Sequence, residues 1–325
     1  MVSNGAFTLN KWVPLGEIAL VRNPQFHDAG AVALGEVDYV MGDDHSAALK
    51  RYEADELDVV SLLGADLQRI QHERPDELHS NPQLTTYYFL FNMSAGIDPH
   101  VRRALSMVID RDVLESKIVR GDQRPAYGLV PPGLPGYVVQ RPEWADLPMA
   151  ERIAAAKALL AEADIGKPLK IHILAPKLDS LQLDINAILA MWHSALGIDA
   201  EVEIVEPRIF LNRYDQNDFE VVYLPVTGDY LDPWDLLSGF LSDKKFDNYG
   251  NSKYDALLDE SRRAASSADR MALLRSAEAL LLADQPLIPV SYGTVQLLVK
   301  PRLHGYESAP LGIHPSRFLR VTDMP

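Results

Sequence analysis

Three aspartates spaced three residues apart are the residues of this sequence whose type and spacing best suit chemistry. Asp229, Asp232 and Asp235 lie in TGDYLDPWD, between the strand-like run DFEVVYLPV and the apolar run LLSGFL. Carboxylates clustered in this way could hold a metal ion, bind a cationic ligand or cap a helix. The spacing does not match the alternating carboxylates of an EF-hand calcium loop, so we expect no metal here.

Two of these three carboxylates have a structural role that the local sequence explains. Asp232 precedes Pro233, as expected for an N-cap followed by proline at the first helical position, and Asp235 falls in the first turn, where the helix dipole favours an acid. Asp229 follows Gly228 just beyond the carboxyl end of a predicted strand, where α/β sheets hold their ligands. Two interpretations of Asp229 stay open: a partner for a ligand's ammonium group, or another turn-capping residue.

Consecutive aromatic residues mark the strand-like run TTYYFLFNM, residues 85–93. Tyr87, Tyr88 and Phe89 follow one another, so rings point to both faces of the strand. They could pack in the core, or one face could line a ligand cleft, because tyrosine combines apolar area with a polar tip.

Composition and charge narrow the range of functions. The chain has 325 residues and a formal net charge of −15, which argues against nucleic acid and anionic membrane surfaces as partners. There is no cysteine, which excludes disulfides and thiolate metal sites. No apolar run approaches the roughly 18 residues of a transmembrane helix, so we expect no membrane insertion.

No catalytic constellation is visible in the sequence. A G-x-S-x-G motif and a phosphate-binding glycine loop are both absent, and the nine histidines show no metal-ligand spacing. We therefore expect no enzymatic activity, no cofactor and no metal, and a peptidase or other hydrolase is disfavoured.

Strand-like and helical runs alternate in the second half of the chain. Strands are predicted at 168–174, 199–206 and 219–225, with helices at 180–197 and 207–216 between them. This β-α-β-α-β order predicts parallel strands joined by crossover helices, and hence an α/β fold.

Two further segments carry specific expectations about the ends of elements. Apolar residues recur at helical intervals through 99–121, which predicts a single helix with Asp98 as N-cap and Gly121 as its end. Near the carboxyl terminus, PLIPVSYG (286–293) and VQLLVK (295–300) are predicted as two strands.

Seven segments, taken together and in order, resemble the oligopeptide-binding proteins of ABC importers, the large class of extracytoplasmic solute-binding proteins. The resemblance runs nearly end to end. Its segments are NGAFTLNKWVPLGEIALVRNPQF, RYEADELDVV, TTYYFLFN, VRRALSMVIDRD, RPAYGLVPPGLPGY, AKALLAEADI and FEVVYLPVTGDYLDP.

This resemblance implies an α/β, two-lobed fold of the periplasmic-binding-protein type, with mixed sheets flanked by helices. Residues 1–84 and 291–325 would form lobe I, and residues 85–290 lobe II. The family's aspartate that grips the α-ammonium group of the ligand falls on Asp229. The other ligand contacts would be Val226, Thr227, Gly228, Tyr87 and Tyr88. The expected function is non-enzymatic binding of oligopeptides in the periplasm, with ABC permease subunits as partners.

The chain departs from the family at its start and in its pocket. Its first residues, MVSNGAFTLN, lack the pattern of a signal peptide, and from the resemblance we expect that a small lobe-forming N-terminal region of the family is missing. Val226 stands where a tryptophan is frequent, Tyr223 where a basic residue can occur, and Leu90 where an acid is sometimes found. We therefore expect this form to bind peptides weakly and to associate through exposed sheet edges. The alternative function is a ligand-sensing regulatory module with the same fold.

Overall fold

The computed structural model describes residues 3–42, 44–62, 64–119, 123–163, 169–244 and 247–322. The chain divides into two units, Met1–Pro82 with Thr294–Pro325, and Gln83–Gly293. Two long strands, β5 (Leu78–Phe91) and β10 (Leu287–Val299), each pass from one unit into the other. Within the described ranges, no helix is long and apolar enough to cross a membrane.

The first unit combines a small antiparallel sheet with two helices and a strand pair. The sheet has the order β1-β2-β3, and β4 pairs antiparallel with the second half of β10. A small core forms under helix α1 around Tyr52 and Ile70, both fully buried. The elements of this unit are β1 (Phe7–Val13), β2 (Glu17–Arg22), β3 (Glu36–Val40), α1 (His45–Glu53), β4 (Val59–Leu62), α2 (Gly64–Glu73), β11 (Leu303–His304) and β12 (Arg320–Val321).

The second unit contains a mixed sheet in the order β10-β5-β9-β7-β8, with the short β6 added to β10. Helices from both halves of its sequence cover this sheet. Its remaining elements are α3 (Pro99–Met107), α4 (Arg111–Val113), β6 (Arg124–Pro125), α5 (Met149–Glu162), β7 (Lys170–Pro176), α6 (Asp179–Leu196), β8 (Asp199–Val205), α7 (Pro207–Asp215), β9 (Val221–Thr227), α8 (Pro233–Ser238), α9 (Ser252–Ser261) and α10 (Ser267–Asp284).

The predicted β-α-β-α-β segment is confirmed. Strand β7 lies between β8 and β9 and pairs parallel with both, while α6 and α7 make the crossover connections. The next strand of the sheet, β5, runs antiparallel to β9 in a register that pairs Thr85 with Thr227 and Phe91 with Val221. The carboxyl end of β9 therefore lies beside the first residues of the aromatic segment of β5.

Aromatic residues fill one face of the β5–β9 pair. Phe89 lies opposite Tyr223 with ring centroids 4.5 Å apart, and it also contacts Trp192 of α6 at 5.0 Å. The indole N–H of Trp192 donates to the Leu105 carbonyl oxygen at 3.0 Å, which satisfies its only polar group inside the core. For Phe89, core packing on this face is the interpretation that the structure supports.

The expectation of one helix over 99–121 is wrong. Asp98 is the N-cap, as predicted, but α3 ends at Met107, and α4 begins with a new N-cap at Asp110 before a π-helical turn over Leu114–Val119. The buried guanidinium group of Arg111 donates to the carbonyl oxygens of Ser106 and Ile109, at 3.0 and 3.3 Å. These carbonyls would accept backbone bonds in a continuous helix, so the break supplies a buried cation with acceptors. Gly121 lies outside the described residues.

The expectation of two strands at 286–293 and 295–300 is also wrong, because β10 is continuous from Leu287 to Val299. Gly293 lies within it rather than at a turn. A Cβ atom at Gly293 would lie 2.9 Å from the Cβ of Thr85, so glycine permits the close approach of β10 to β5.

Candidate functional site

The candidate site lies where β9 ends beside β5 in the second unit. The hydroxyl groups of Thr85 and Thr227 are 2.7 Å apart, and the N–H of Gly228 donates to the Leu84 carbonyl oxygen at 2.8 Å. These contacts extend the strand pairing one residue past β9 and fix the direction in which the chain leaves the sheet. The residue after Gly228 is Asp229, which is thereby held at the carboxyl end of the strand.

Gly228 is required at this position by packing. A Cβ atom there would lie 2.5 Å from Cδ2 of Leu84 and 3.0 Å from Oδ2 of Asp235. Leu84 is 2% exposed, so it has little room to move aside.

Asp235 closes the turn that carries Asp229. Its Oδ2 accepts the backbone N–H of Asp229 at 2.5 Å and, more weakly, that of Tyr230 at 3.4 Å. The predicted position in the first turn of α8 is confirmed. Its role as acceptor for the Asp229 N–H could not be predicted from the sequence. The donor lies six residues earlier, and nothing in the spacing indicates that the chain folds back.

Asp232 is the N-cap of α8, as predicted, and accepts the Trp234 N–H at 2.8 Å with Pro233 at the first helical position. It also forms a bidentate ion pair with Arg270 of α10, with Nη–O distances of 2.8 and 2.9 Å. No pattern in the sequence indicated Arg270 as a partner, since it lies 38 residues away. Asp232 therefore has two structural roles, as the N-cap of α8 and as the partner of Arg270.

Asp229 differs from its two neighbours because its side chain has no structural task. The residue is exposed, and within the described part of the chain its carboxylate makes no hydrogen bond or ion pair. The described residues also contain no group of three or more His, Asp or Glu side chains that could hold a metal ion. The three aspartates thus separate into two that build the turn and one that projects from it unpaired.

The two candidate tyrosines lie on opposite faces of β5. Tyr87 pairs with Pro225 and is partly buried, whereas Tyr88 pairs with Leu224, is 3% exposed and lies 6.4 Å from the Phe240 ring. Burial raises the pKa of both hydroxyl groups, so both are neutral hydrogen-bonding groups at ordinary pH. Their contact with a ligand stays a prediction.

The three positions where the sequence departs from the family differ in exposure. Val226 is half-buried and pairs with Thr86, while Leu90 is 2% exposed. Tyr223 is fully buried, and its hydroxyl donates to Oδ2 of Asp184 at 2.9 Å.

Two buried carboxylates near the aromatic strand were missed by sequence reasoning. Glu115 is 5% exposed and Asp184 is fully buried. Burial, followed by the charge of Asp184, raises the pKa of Glu115 to about 8, and burial raises that of Asp184 to about 6. A signal was available for Asp184, an acid among the apolar residues of an amphipathic helix. Glu115 lies in the segment wrongly expected to continue as a regular helix.

Comparison with known proteins identifies a family whose members are similar to this chain. The profile of the bacterial extracellular solute-binding proteins, family 5, middle region, matches residues 1–248. The chain is 32% identical over 314 residues to the periplasmic oligopeptide-binding protein OppA of Escherichia coli, covering 94% of this chain and 58% of that protein. It is equally 32% identical, over 313 residues with the same coverage, to the probable deoxycholate-binding periplasmic protein YgiS of Escherichia coli.

Solved structures agree with the sequence comparison. The murein tripeptide binding protein MppA of Escherichia coli superposes with a TM-score of 0.88 at 28% identity, covering 99% of this chain and 65% of that one. The chain spans 58% of the length of these curated relatives. Profile, sequence and fold agree, and the chain belongs to the bacterial extracellular solute-binding proteins of family 5.

Proposed function

We propose that this chain is the peptide-binding component of an ABC importer and that Asp229 holds the α-ammonium group of the peptide. The observation that carries the proposal is the exposed carboxylate of Asp229, the one aspartate of the turn without an intramolecular partner in the described structure. Strand pairing and Asp235 fix the backbone on which it stands. Such a carboxylate is preorganised for a charge-assisted hydrogen bond with an ammonium group.

The charge of the site favours a peptide over an anionic ligand. One relative is named for probable deoxycholate binding and another for oligopeptide binding. The carboxylate of deoxycholate would face the negative charge of Asp229, whereas the amino end of a peptide would be attracted to it. We therefore propose a peptide rather than deoxycholate as the ligand of this chain.

We also propose that binding by the chain alone is weak. An ion pair at an exposed carboxylate contributes only about 0–1 kcal/mol, because water screens it. Affinity in this site must therefore come from the backbone of the peptide and from burial of its side chains. The proposed partners are the peptide and the permease subunits of the importer, and the proposed location is the periplasm.

Calorimetric titration with alanine peptides of three to five residues tests the role of Asp229. We expect Asp229→Asn to lower affinity by up to about fivefold, because the acceptor stays and the charge, which contributes about 0–1 kcal/mol at an exposed site, is lost. Acetylation removes the charge of the peptide's amino group. The affinity of N-acetylated peptides for the wild type should therefore be no higher than the affinity of free peptides for Asp229→Asn. Asp215→Asn, an exposed aspartate of α7, is the matched control. Equal affinity of free and acetylated peptides for the wild type would show that Asp229 does not bind the ammonium group.

The alternative function, a ligand-sensing regulatory module of the same fold, is tested by a different measurement. Co-purification of the protein with permease subunits reconstituted in lipid discs supports the importer component. Peptide binding without any association with a permease supports the sensor.

A further inference from the structure

Glu115 and Asp184 are buried carboxylates of the second unit on two elements that pack together, and the charge of Asp184 acts on Glu115. Glu115 comes from the π-helical turn Leu114–Val119, and Asp184 from the second turn of α6. Both oxygen atoms of Glu115 and Oδ1 of Asp184 are buried without a hydrogen-bond partner. Only Oδ2 of Asp184 is satisfied, by the Tyr223 hydroxyl.

Such an arrangement is costly unless something supplies the missing partners. A buried acceptor without a hydrogen bond costs about 1–3 kcal/mol, and a buried unpaired charge costs more. Among the described side chains, no Lys, Arg or His forms an ion pair with either carboxylate. The Ser291 hydroxyl partly offsets the raised pKa of Glu115, but it is itself without a hydrogen bond in ordinary geometry. Three carboxylate oxygens thus have no donor in ordinary hydrogen-bond geometry among the described residues.

Tyr87, one of the candidate ligand contacts, connects the two carboxylates with the proposed peptide site. Their charges reach Tyr87, whose pKa is raised by burial and then by Asp184 and Glu115. Tyr87 pairs with Pro225, and Asp229 is four residues further along the same chain segment. Four extended residues span at most about 13 Å, which is the length of about four residues of an extended peptide, so the probes carry the cation at the third or fourth residue.

We propose that Glu115 and Asp184 bind a cationic side chain of the ligand, the ammonium group of a lysine or the guanidinium group of an arginine. This inference rests on the proposed function, because it assigns the cation to the peptide held at Asp229. An ammonium group supplies three donors, the same number as the oxygens without partners, and a guanidinium group supplies five. Because these oxygens are buried, a cation reaches them only if neighbouring side chains move. The π-helical turn that carries Glu115 is a segment type frequent at functional sites.

Calorimetry with matched peptides tests the proposal without any change to the protein. The probes are alanine pentapeptides with lysine at the third or fourth residue, and the same peptides with norleucine, which keeps the length of the side chain and lacks the charge. We expect at least a tenfold tighter binding of one lysine peptide than of its norleucine counterpart. Glu115→Gln and Asp184→Asn should each remove most of this difference, whereas the exposed control Asp215→Asn should keep it.

Proton release gives a second readout that a merely structural role would not produce. A cation between the two carboxylates stabilises their ionised forms, so binding near pH 7 should release about one proton, mostly from Glu115. Titration in buffers of different ionisation enthalpy measures this number. Release should occur with the lysine peptide, be absent with the norleucine peptide, and disappear in Glu115→Gln.

The outcomes separate this inference from the proposed function. Equal binding of lysine and norleucine peptides overturns the cation site and leaves peptide binding intact. If neither peptide binds, the proposed function fails, and agmatine then tests the pair directly. A rise of the thermal midpoint with agmatine in the wild type, absent from Glu115→Gln and Asp184→Asn, supports the site. No rise in the wild type overturns it.

Discussion

The side chain of Asp235 holds the backbone of Asp229, with Oδ2 accepting the Asp229 N–H at 2.5 Å. A residue of the first turn of helix α8 therefore also fixes the residue that we propose to bind the ligand. This relationship separates two effects that mutation can measure, loss of a charge that contacts the ligand and loss of the support that positions it.

We expect Asp235→Ala to destabilise the protein by about 1–2 kcal/mol, because two backbone N–H groups lose their acceptor and the first turn of α8 loses its acid. Asp235→Asn keeps an acceptor and should cost about half as much. Urea unfolding followed by circular dichroism measures both. Equal stability of the alanine variant and the wild type would contradict a supporting role for Asp235.

We expect Gly228→Ala to cost about 1–3 kcal/mol, because its Cβ would lie 2.5 Å from Cδ2 of Leu84. The matched test is the double variant with Leu84→Ala, which opens the space that the new methyl group needs. In a double-mutant cycle the double variant should be more stable than the sum of the two single effects predicts. Additive effects would show that the strain lies elsewhere.

We expect Asp232→Ala to cost about 1–3 kcal/mol, because it removes the N-cap of α8 and the ion pair with Arg270 together. Arg270→Met removes only the ion pair and should cost about 1 kcal/mol or less. The difference between the free energies of unfolding of the two variants, measured by chemical unfolding, gives the contribution of the N-cap. If Asp232→Ala instead abolished peptide binding with full stability, the ligand carboxylate would be Asp232 rather than Asp229.

We expect the stability of the unliganded protein to fall as pH rises from about 4.5 to about 8. Because the pKa of Glu115 is raised to about 8, the folded protein keeps a proton in this range that the unfolded chain has released. The favourable contribution is complete at the acid end and is lost as Glu115 ionises. Asp184, with its pKa raised to about 6, adds to the fall in the lower part of the range.

The measurement is the free energy of unfolding in urea at pH 5, 6, 7 and 8. Glu115→Gln should flatten the curve between pH 6 and 8, since glutamine does not ionise, while part of the slope remains from Glu278, whose pKa is raised by burial to about 7. The exposed Glu143→Gln is the control and should leave the curve unchanged. A curve for Glu115→Gln that parallels the wild type would show that Glu115 is already ionised in the folded protein.

The elements that the sequence determined are those whose causes are local. Parallel pairing of β7 with β8 and β9 follows from alternating strand and helix patterns, and the N-caps at Asp98 and Asp232 follow from an aspartate before a proline. Each of these signals is complete within a few turns of chain. The sequence also set Asp229 apart from Asp232 and Asp235, since only those two had local tasks at the start of a helix.

Tertiary structure decided whatever depends on partners far apart in the chain. The break after Met107 serves Arg111, which also donates to the Pro289 carbonyl 178 residues away, and β10 is continuous because Gly293 fits against Thr85. Glu115 and Asp184 meet only when the π-helical turn and α6 pack in the same core. A sequence pattern records which face of an element is apolar, but it does not record which polar groups the folded chain buries together, and these groups set the chemistry of the site.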